Sequence, residues 1–199
     1  ADLIPLGGWP GSDIVYTSGL STAVYEPAIA TGRLLARTPQ DIINYLNKVK
    51  EYESAPQNDL AKKEILQLSG GFLQGEIELF KLYIQGFKAI AEGKYLGAHV
   101  TNLSKSINAG VQLINVSEYV NKGLVLLTFL GHAAPRVTDI EIGFASDPFN
   151  NYVNKGKYFM MLVNGCNTAN VFNPTVSLSE DWTLVPDKGA ILFLANSSE

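Results

Sequence analysis

The chain has 199 residues, of which 46% are apolar and 17% are charged, and its formal net charge is −4. These values are typical of a single globular domain, and the lack of a basic block argues against a nucleic-acid partner. No apolar run approaches the roughly 18 residues that span a bilayer, and one cysteine with two histidines excludes an internal disulfide and a zinc site built from those residues.

The first 60 residues predict a short strand and one helix. The strand is expected over residues 13–17. Thr38 suits the N-cap of a helix and Pro39 suits its first position, so a helix is predicted from there to about Glu53. Its apolar face is expected to consist of Ile42, Ile43, Leu46 and Val49.

The middle of the chain predicts a strand, a long helix and a second strand. Residues 64–69 form a short apolar run that ends at Gly70-Gly71, which indicates a strand. A helix is predicted over residues 76–92, with its aromatic side chains in the core. A strand over residues 95–103 and a short helix over residues 111–120 follow.

The last part of the chain contains three more apolar runs. Two of them, residues 124–130 and 158–164, are each followed by a glycine, and a short helix over residues 147–154 is predicted between them. A helix over residues 179–185 and a strand over residues 189–195 end the series. Because strands alternate with helices, we expect an α/β fold with a mostly parallel sheet flanked by helices on both faces.

His132 and Cys166 occupy equivalent positions after two of these strands. Each residue directly follows the glycine that ends its strand. Ligands of open α/β sheets bind at the carboxyl ends of the strands, and a thiol needs a nearby base to become a nucleophile at neutral pH. This placement favours a catalytic dyad. The alternative is that Cys166 is a small buried side chain and His132 a hydrogen-bonded structural residue.

Several short stretches, in this order, resemble the gingipain-like cysteine peptidases of the C25 family. They are residues 28–33 with 45–53, Leu68 to Gly71, Phe129 to His132, Asn164 to Asn167, and Glu180 to Trp182 with Gly189 to Ile191. The resemblance implies a caspase-like fold. It also implies that residues 1–199 are a single peptidase subdomain, a fragment of a longer secreted protein.

The resemblance implies roles for individual residues. The Cys166 thiolate attacks the scissile carbonyl, His132 acts as the base and then as the acid, and the backbone N–H groups of Ala133 and Cys166 form the oxyanion hole. The family reads Gly-His-Gly where Ala133 stands here, and alanine serves that role if its φ is negative. Glu76 or Glu78 is a candidate to orient His132 or to line a pocket for a basic P1 side chain; the alternative is that both are first-turn acids favoured by the helix dipole.

The function implied is that of a cysteine endopeptidase, in a processing or secretion system, which acts on protein or peptide substrates. The alternative is a catalytically inactive C25-like scaffold or binding module. A flavodoxin-like protein is disfavoured because no glycine-rich phosphate loop follows a strand. No metal, cofactor or transmembrane segment is implied; the remaining domains of the parent chain are expected partners, and the location implied is secreted or on the outer membrane or surface of a bacterial cell.

Overall fold

The computed structural model describes residues 4–8, 11–21, 26–56, 59–108 and 110–198. The chain divides after Leu35 into two compact units. In the first unit the strand predicted over residues 13–17 is wrong, because Ile14–Tyr16 form a 3-10 helix. Ser12 Oγ accepts the N–H of Ile14, and such side-chain hydrogen bonds favour a turn over an extended segment. Arg33 forms an ion pair with Asp13.

The second unit is built from alternating helices and strands. Its α-helices in the described residues are α1 (Pro39–Ser54), α2 (Gln74–Ala91), α3 (Ser117–Lys122) and α4 (Leu178–Leu184). Its strands there are β1 (Glu64–Ser69), β2 (His99–Ser104), β3 (Gln112–Leu113), β4 (Leu126–Leu130), β5 (Ala133–Ala134), β6 (Val137–Thr138), β7 (Ile140–Glu141), β8 (Phe159–Asn164) and β9 (Ala190–Ala195). Among the described helices, none is long and apolar enough to cross a membrane.

Five of the strands form one parallel sheet in the order β2-β1-β4-β8-β9. The predicted strands at residues 64–69 and 189–195 are therefore confirmed, and the predicted strand at 95–103 begins later, at His99. Two predicted helices are wrong in extent. Residues 112–113 pair with β7 as a strand before α3 begins, and the helix predicted over 147–154 is only the 3-10 helix Pro148–Asn150.

Helices cover both faces of the sheet, as predicted. Side chains alternate between faces along a strand. Leu66 and Leu68 of β1 therefore lie on one face, where they share a buried cluster with Val120 of α3 and Trp182 of α4. Gln67 lies on the opposite face, and its amide donates to the carbonyl of Ile84 in α2. The main core thus lies between the sheet and α3 and α4.

The predicted apolar face of α1 is wrong. Ile42, Ile43 and Leu46 are each about half exposed, whereas Lys48 is buried, with 1% of its surface accessible. The Lys48 ammonium lies 3.0 to 3.5 Å from three carbonyl oxygens at the end of α4. Since the last carbonyls of a helix lack intrahelical partners, this cation caps α4, and the cap sets which side of α1 faces the protein.

The prediction that the aromatic residues of α2 are core is also wrong. The buried residues of this helix are Ile77 and Ile84, while Tyr83 and Phe87 are about half exposed. The helix rests on β1 and β2 through one narrow face. A single row of side chains therefore meets the sheet, and the apolar residues on the flank of α2 do not reach it.

Candidate active site

The structure places His132 and Cys166 after two neighbouring strands. β4 and β8 are adjacent and parallel, and Leu130 is in register with Asn164. The N–H of Gly131 continues the ladder by donating to the carbonyl of Asn164 at 3.2 Å. Each of the two reactive residues stands two positions beyond this register pair, at the carboxyl-terminal edge of the sheet. The two strands are parallel, as expected, and they are neighbours in the sheet.

His132 is held by residues from the start of α2. Its Nε2 lies 2.9 Å from Oε1 of Glu76, and its ring stacks on Phe72 with centroids 4.4 Å apart and an interplanar angle of 8°. Phe80 approaches the same ring at 6.3 Å. The imidazole is 39% exposed, so these contacts limit its rotation but leave it open to solvent. With Nε2 engaged, Nδ1 is the ring nitrogen left free to meet another group.

The two acids singled out in the sequence have different contacts. Glu76 bridges His132 and the N–H of Phe72, which donates to its Oε2 at 2.7 Å. The hydrogen bond from Phe72, followed by the one from His132, lowers the pKa of Glu76. Glu76 is also the acid in the first turn of α2, so the contact with His132 and the position near the N-terminus of the helix occur together. Glu78 lies about 200° further around the helix and accepts a hydrogen bond from Gln74.

Cys166 is partly exposed, in a tight turn that follows β8. The next residue, Asn167, has a φ of 59°, in the left-handed region that asparagine tolerates. At Gly165 a Cβ would lie 2.7 Å from the Cβ of Ala133. Glycine at this position therefore lets the loop that carries Cys166 contact the loop that carries His132.

Ala133 begins a small hairpin that the sequence analysis did not predict. Strands β5 and β6 are antiparallel, with Ala133 opposite Thr138, and the N–H of Asp139 donates to the carbonyl of His132 at 2.9 Å. Hydrogen-bonded and non-hydrogen-bonded pairs alternate along antiparallel strands, so the N–H of Ala133 points away from β6. Ala133 is not among the described residues with positive φ. Ala133 therefore has the negative φ that the sequence analysis required of an alanine at this position.

Phe72 was not predicted from the sequence as a residue that contacts His132. The residue directly follows Gly70-Gly71 at the carboxyl end of β1, a position where side chains reach the active edge of a parallel sheet. Gly71 has a φ of 124°, and a Cβ there would lie 2.8 Å from the backbone of Ile77. This glycine turns the chain sharply, so that Phe72 and Glu76 both face His132. The Gly70-Gly71 pair could therefore have indicated that the next residue, Phe72, lies in the site.

Comparisons with known proteins identify relatives of this chain. Residues 2–199 match the family model of peptidase family C25. Over 183 residues the chain is 26% identical to Lys-gingipain HG66 of Porphyromonas gingivalis and 25% identical to Lys-gingipain of strain ATCC 33277 of the same species; each match covers 87% of this chain. The chain spans about 10% of the length of these curated relatives.

Solved structures share the fold. The crystal structure of the Arg specific cysteine proteinase gingipain R matches with a TM-score of 0.73 and 16% identity, over 95% of this chain and 45% of that one. The complex of Porphyromonas gingivalis RgpB pro- and mature domains matches with a TM-score of 0.71 and 16% identity, over 98% and 47%. This chain therefore corresponds to less than half of each solved chain.

Proposed function

The chain belongs to peptidase family C25, and we propose that it carries the catalytic dyad of a cysteine endopeptidase, with Cys166 as the nucleophile and His132 as its base. The observation that carries the proposal is the register of β4 and β8, which puts both residues two positions beyond a paired Leu130 and Asn164. The hydrogen bond between Glu76 and His132 adds a third group in the position of an orienting acid.

The proposed reaction begins with the thiol of Cys166. His132 takes its proton through the free Nδ1, and the resulting thiolate attacks the carbonyl carbon of the scissile peptide bond. The imidazolium then protonates the leaving amine, and the acyl-enzyme is hydrolysed by water that His132 deprotonates. Glu76 holds Nε2–H and stabilises the positive charge that forms on the ring.

The oxyanion of the tetrahedral intermediate would be bound by two backbone N–H groups, those of Ala133 and Cys166. Two features support Ala133 as a donor: its φ is negative, and its N–H points away from β6. One such donor typically contributes about 10²–10³-fold to the rate. Because the donor is a backbone group, alanine supplies it as well as the glycine usual in the family does.

The proposal extends to the setting of the enzyme. Its substrates would be proteins or peptides, and it would work in a processing or secretion system, on the outer membrane or surface of a bacterial cell or outside it, as part of a longer polypeptide. The solved complex of pro- and mature domains is an example of a relative with a further domain. That residues 1–199 form a single peptidase subdomain stays part of this proposal.

Two measurements test the proposed function. The purified protein should be labelled at Cys166 by iodoacetamide and should cleave a peptide library, and Cys166→Ala should abolish both. His132→Ala should slow labelling at pH 7, because the variant lacks the imidazole that takes the proton from the thiol. A wild-type protein that is neither labelled nor active would favour the catalytically inactive scaffold, and cleavage that survives Cys166→Ala would refute the peptidase assignment.

A further inference from the structure

A buried carboxylate lies behind the candidate dyad. Asp139, at the end of the hairpin, is 2% exposed. Its Oδ2 accepts the N–H of Gly71 at 2.6 Å and the N–H of His132 at 3.3 Å, while its own N–H donates to the carbonyl of His132. Asp139 therefore joins the segment after β1 to the segment after β4.

The glycines at these two strand ends make room for this carboxylate. A Cβ at Gly70 would lie 1.7 Å from Oδ1 of Asp139, and a Cβ at Gly131 would lie 2.7 Å from the same atom. Neither glycine is among the described residues with positive φ, so space and not backbone conformation requires them.

The two amides that Asp139 binds belong to the residue that carries the imidazole and to the segment that contacts it. Gly71 leads directly into Phe72 and Glu76, which stack on His132 and bond to it. A single carboxylate thus anchors the backbone of the histidine and the backbone of the segment that orients its ring. A shift of either segment would change the Glu76–His132 geometry.

Charged groups of both signs lie near the imidazole ring of His132. Glu76 contacts the ring from α2, and Cys166 follows β8, the strand that neighbours β4. Lys105, at the end of β2, donates to the carbonyl of Gly71 at 2.8 Å, and its ammonium lies 5.2 Å from the centroid of the Phe72 ring. The ammonium disfavours an imidazolium, whereas the carboxylates of Glu76 and Asp139 favour it.

We propose that Asp139 is a positioning residue for His132, which fixes the imidazole through the amides of Gly71 and His132 and stabilises its protonated form. The effect on turnover rests on the proposed peptidase function; the effect on the titration of His132 does not.

The test is an NMR titration of the imidazole groups in the purified protein. Asp139→Asn keeps the shape of the side chain and removes its charge, so the pKa of His132 should fall. The matched control is Glu141→Gln, which removes another buried carboxylate, one bonded to the N–H groups of Thr138 and Gly143. The control should leave the pKa of His132 unchanged.

A second variant acts on Asp139 without altering it. Gly70→Ala should displace the carboxylate and lower the pKa of His132 in the same direction as Asp139→Asn. In an Asp139→Ala background the added methyl group has room, so Gly70→Ala should then cause no further change. If Asp139→Asn does not fold, this pair of variants still tests the role of Asp139.

The outcomes separate the two proposals. If the protein is a peptidase, Asp139→Asn should lower kcat about 10-fold with little change in KM, and the basic limb of the pH profile should move to lower pH. A His132 pKa that is equal in the wild type, Asp139→Asn and Glu141→Gln overturns the role of Asp139. A wild-type protein without hydrolytic activity overturns the proposed function, and the NMR titration still decides the role of Asp139.

Discussion

Replacing Glu76 by glutamine tests the orienting contact directly. Glu76 accepts two hydrogen bonds, one on each carboxylate oxygen, from Phe72 and from His132. Glutamine has one acceptor oxygen, so one of these two donors must face an NH₂ group instead. If the oxygen keeps Phe72, the NH₂ group faces Nε2 of His132 and favours the tautomer with its proton on Nδ1, which cannot take a proton from the thiol.

The magnitude follows from the partners. A hydrogen bond to a charged group contributes about 1.5–3 kcal/mol, and the side chains of Glu76 and His132 are 29% and 39% exposed, which reduces the Coulomb part. We expect a loss of about 2 kcal/mol, or roughly a 30-fold fall in kcat. The matched control is Glu78→Gln on the same helix, because Glu78 pairs with Gln74; its kcat should stay within about twofold of wild type.

The pH dependence of the wild type supplies a second readout. The pKa of Glu76 is lowered, so the carboxylate is ionised above its ordinary pKa of about 4.3 and loses its charge only as the pH falls through the lower folded value. Activity should therefore show no loss from Glu76 between pH 5 and 8. Measured kcat profiles of the three proteins check this. Equal kcat in wild type and Glu76→Gln, or an equal fall in both variants, would refute the orienting role.

Three further predictions concern the strand ends and the buried lysine. Cys166→Ala should lower the free energy of unfolding by only about 1 kcal/mol, measured by urea denaturation, because the side chain is small and partly exposed. Gly165→Ala should reduce hydrolysis at least 10-fold, since the new Cβ would lie 2.7 Å from that of Ala133. The control is Gly86→Ala on α2, where the space around the glycine is open. It should leave hydrolysis unchanged and stabilise the helix by about 0.5–1 kcal/mol. Burial lowers the pKa of Lys48 to about 7, so between pH 7 and the unfolded value of about 10.4 the unfolded state binds more protons. The free energy of unfolding should rise with pH across that window in the wild type, by up to a few kcal/mol, and Lys48→Met should abolish the rise. Equal free energies of unfolding of the wild type at pH 7 and pH 9, measured by urea denaturation, would contradict it.

Most strands of the main sheet and the start of α1 were predictable because their signals are local. Short apolar runs bounded by glycine became β1, β4, β8 and β9 of the sheet, since a strand buried on both faces is apolar throughout. Thr38 and Pro39 mark the start of α1, and the capping box is formed with Asp41. The parallel topology followed from the alternation of strands and helices, and it brought His132 and Cys166 to the same edge.

The orientation of helices was not predictable from their own periodicity. The burial of Lys48 in place of Ile42 depends on carbonyl groups of α4, more than 130 residues away along the chain. The exposed flank of α2 depends on how the helix crosses β1 and β2. In both helices the sequence shows which residues share a face, but the partner that a face meets is determined by long-range packing.

The sequence by itself determined most strands of the main sheet, their parallel direction and the positions of His132 and Cys166 beyond β4 and β8, because these depend on patterns within a few residues. Tertiary structure alone decided which of Glu76 and Glu78 meets His132, since both acids fit the first turn of the helix predicted over residues 76–92 equally well. It also placed Asp139 against the amides of Gly71 and His132. Contacts across 56 and 68 positions of the chain leave no local pattern, because they arise only when β1 and β4 pair and the hairpin folds back beneath their ends.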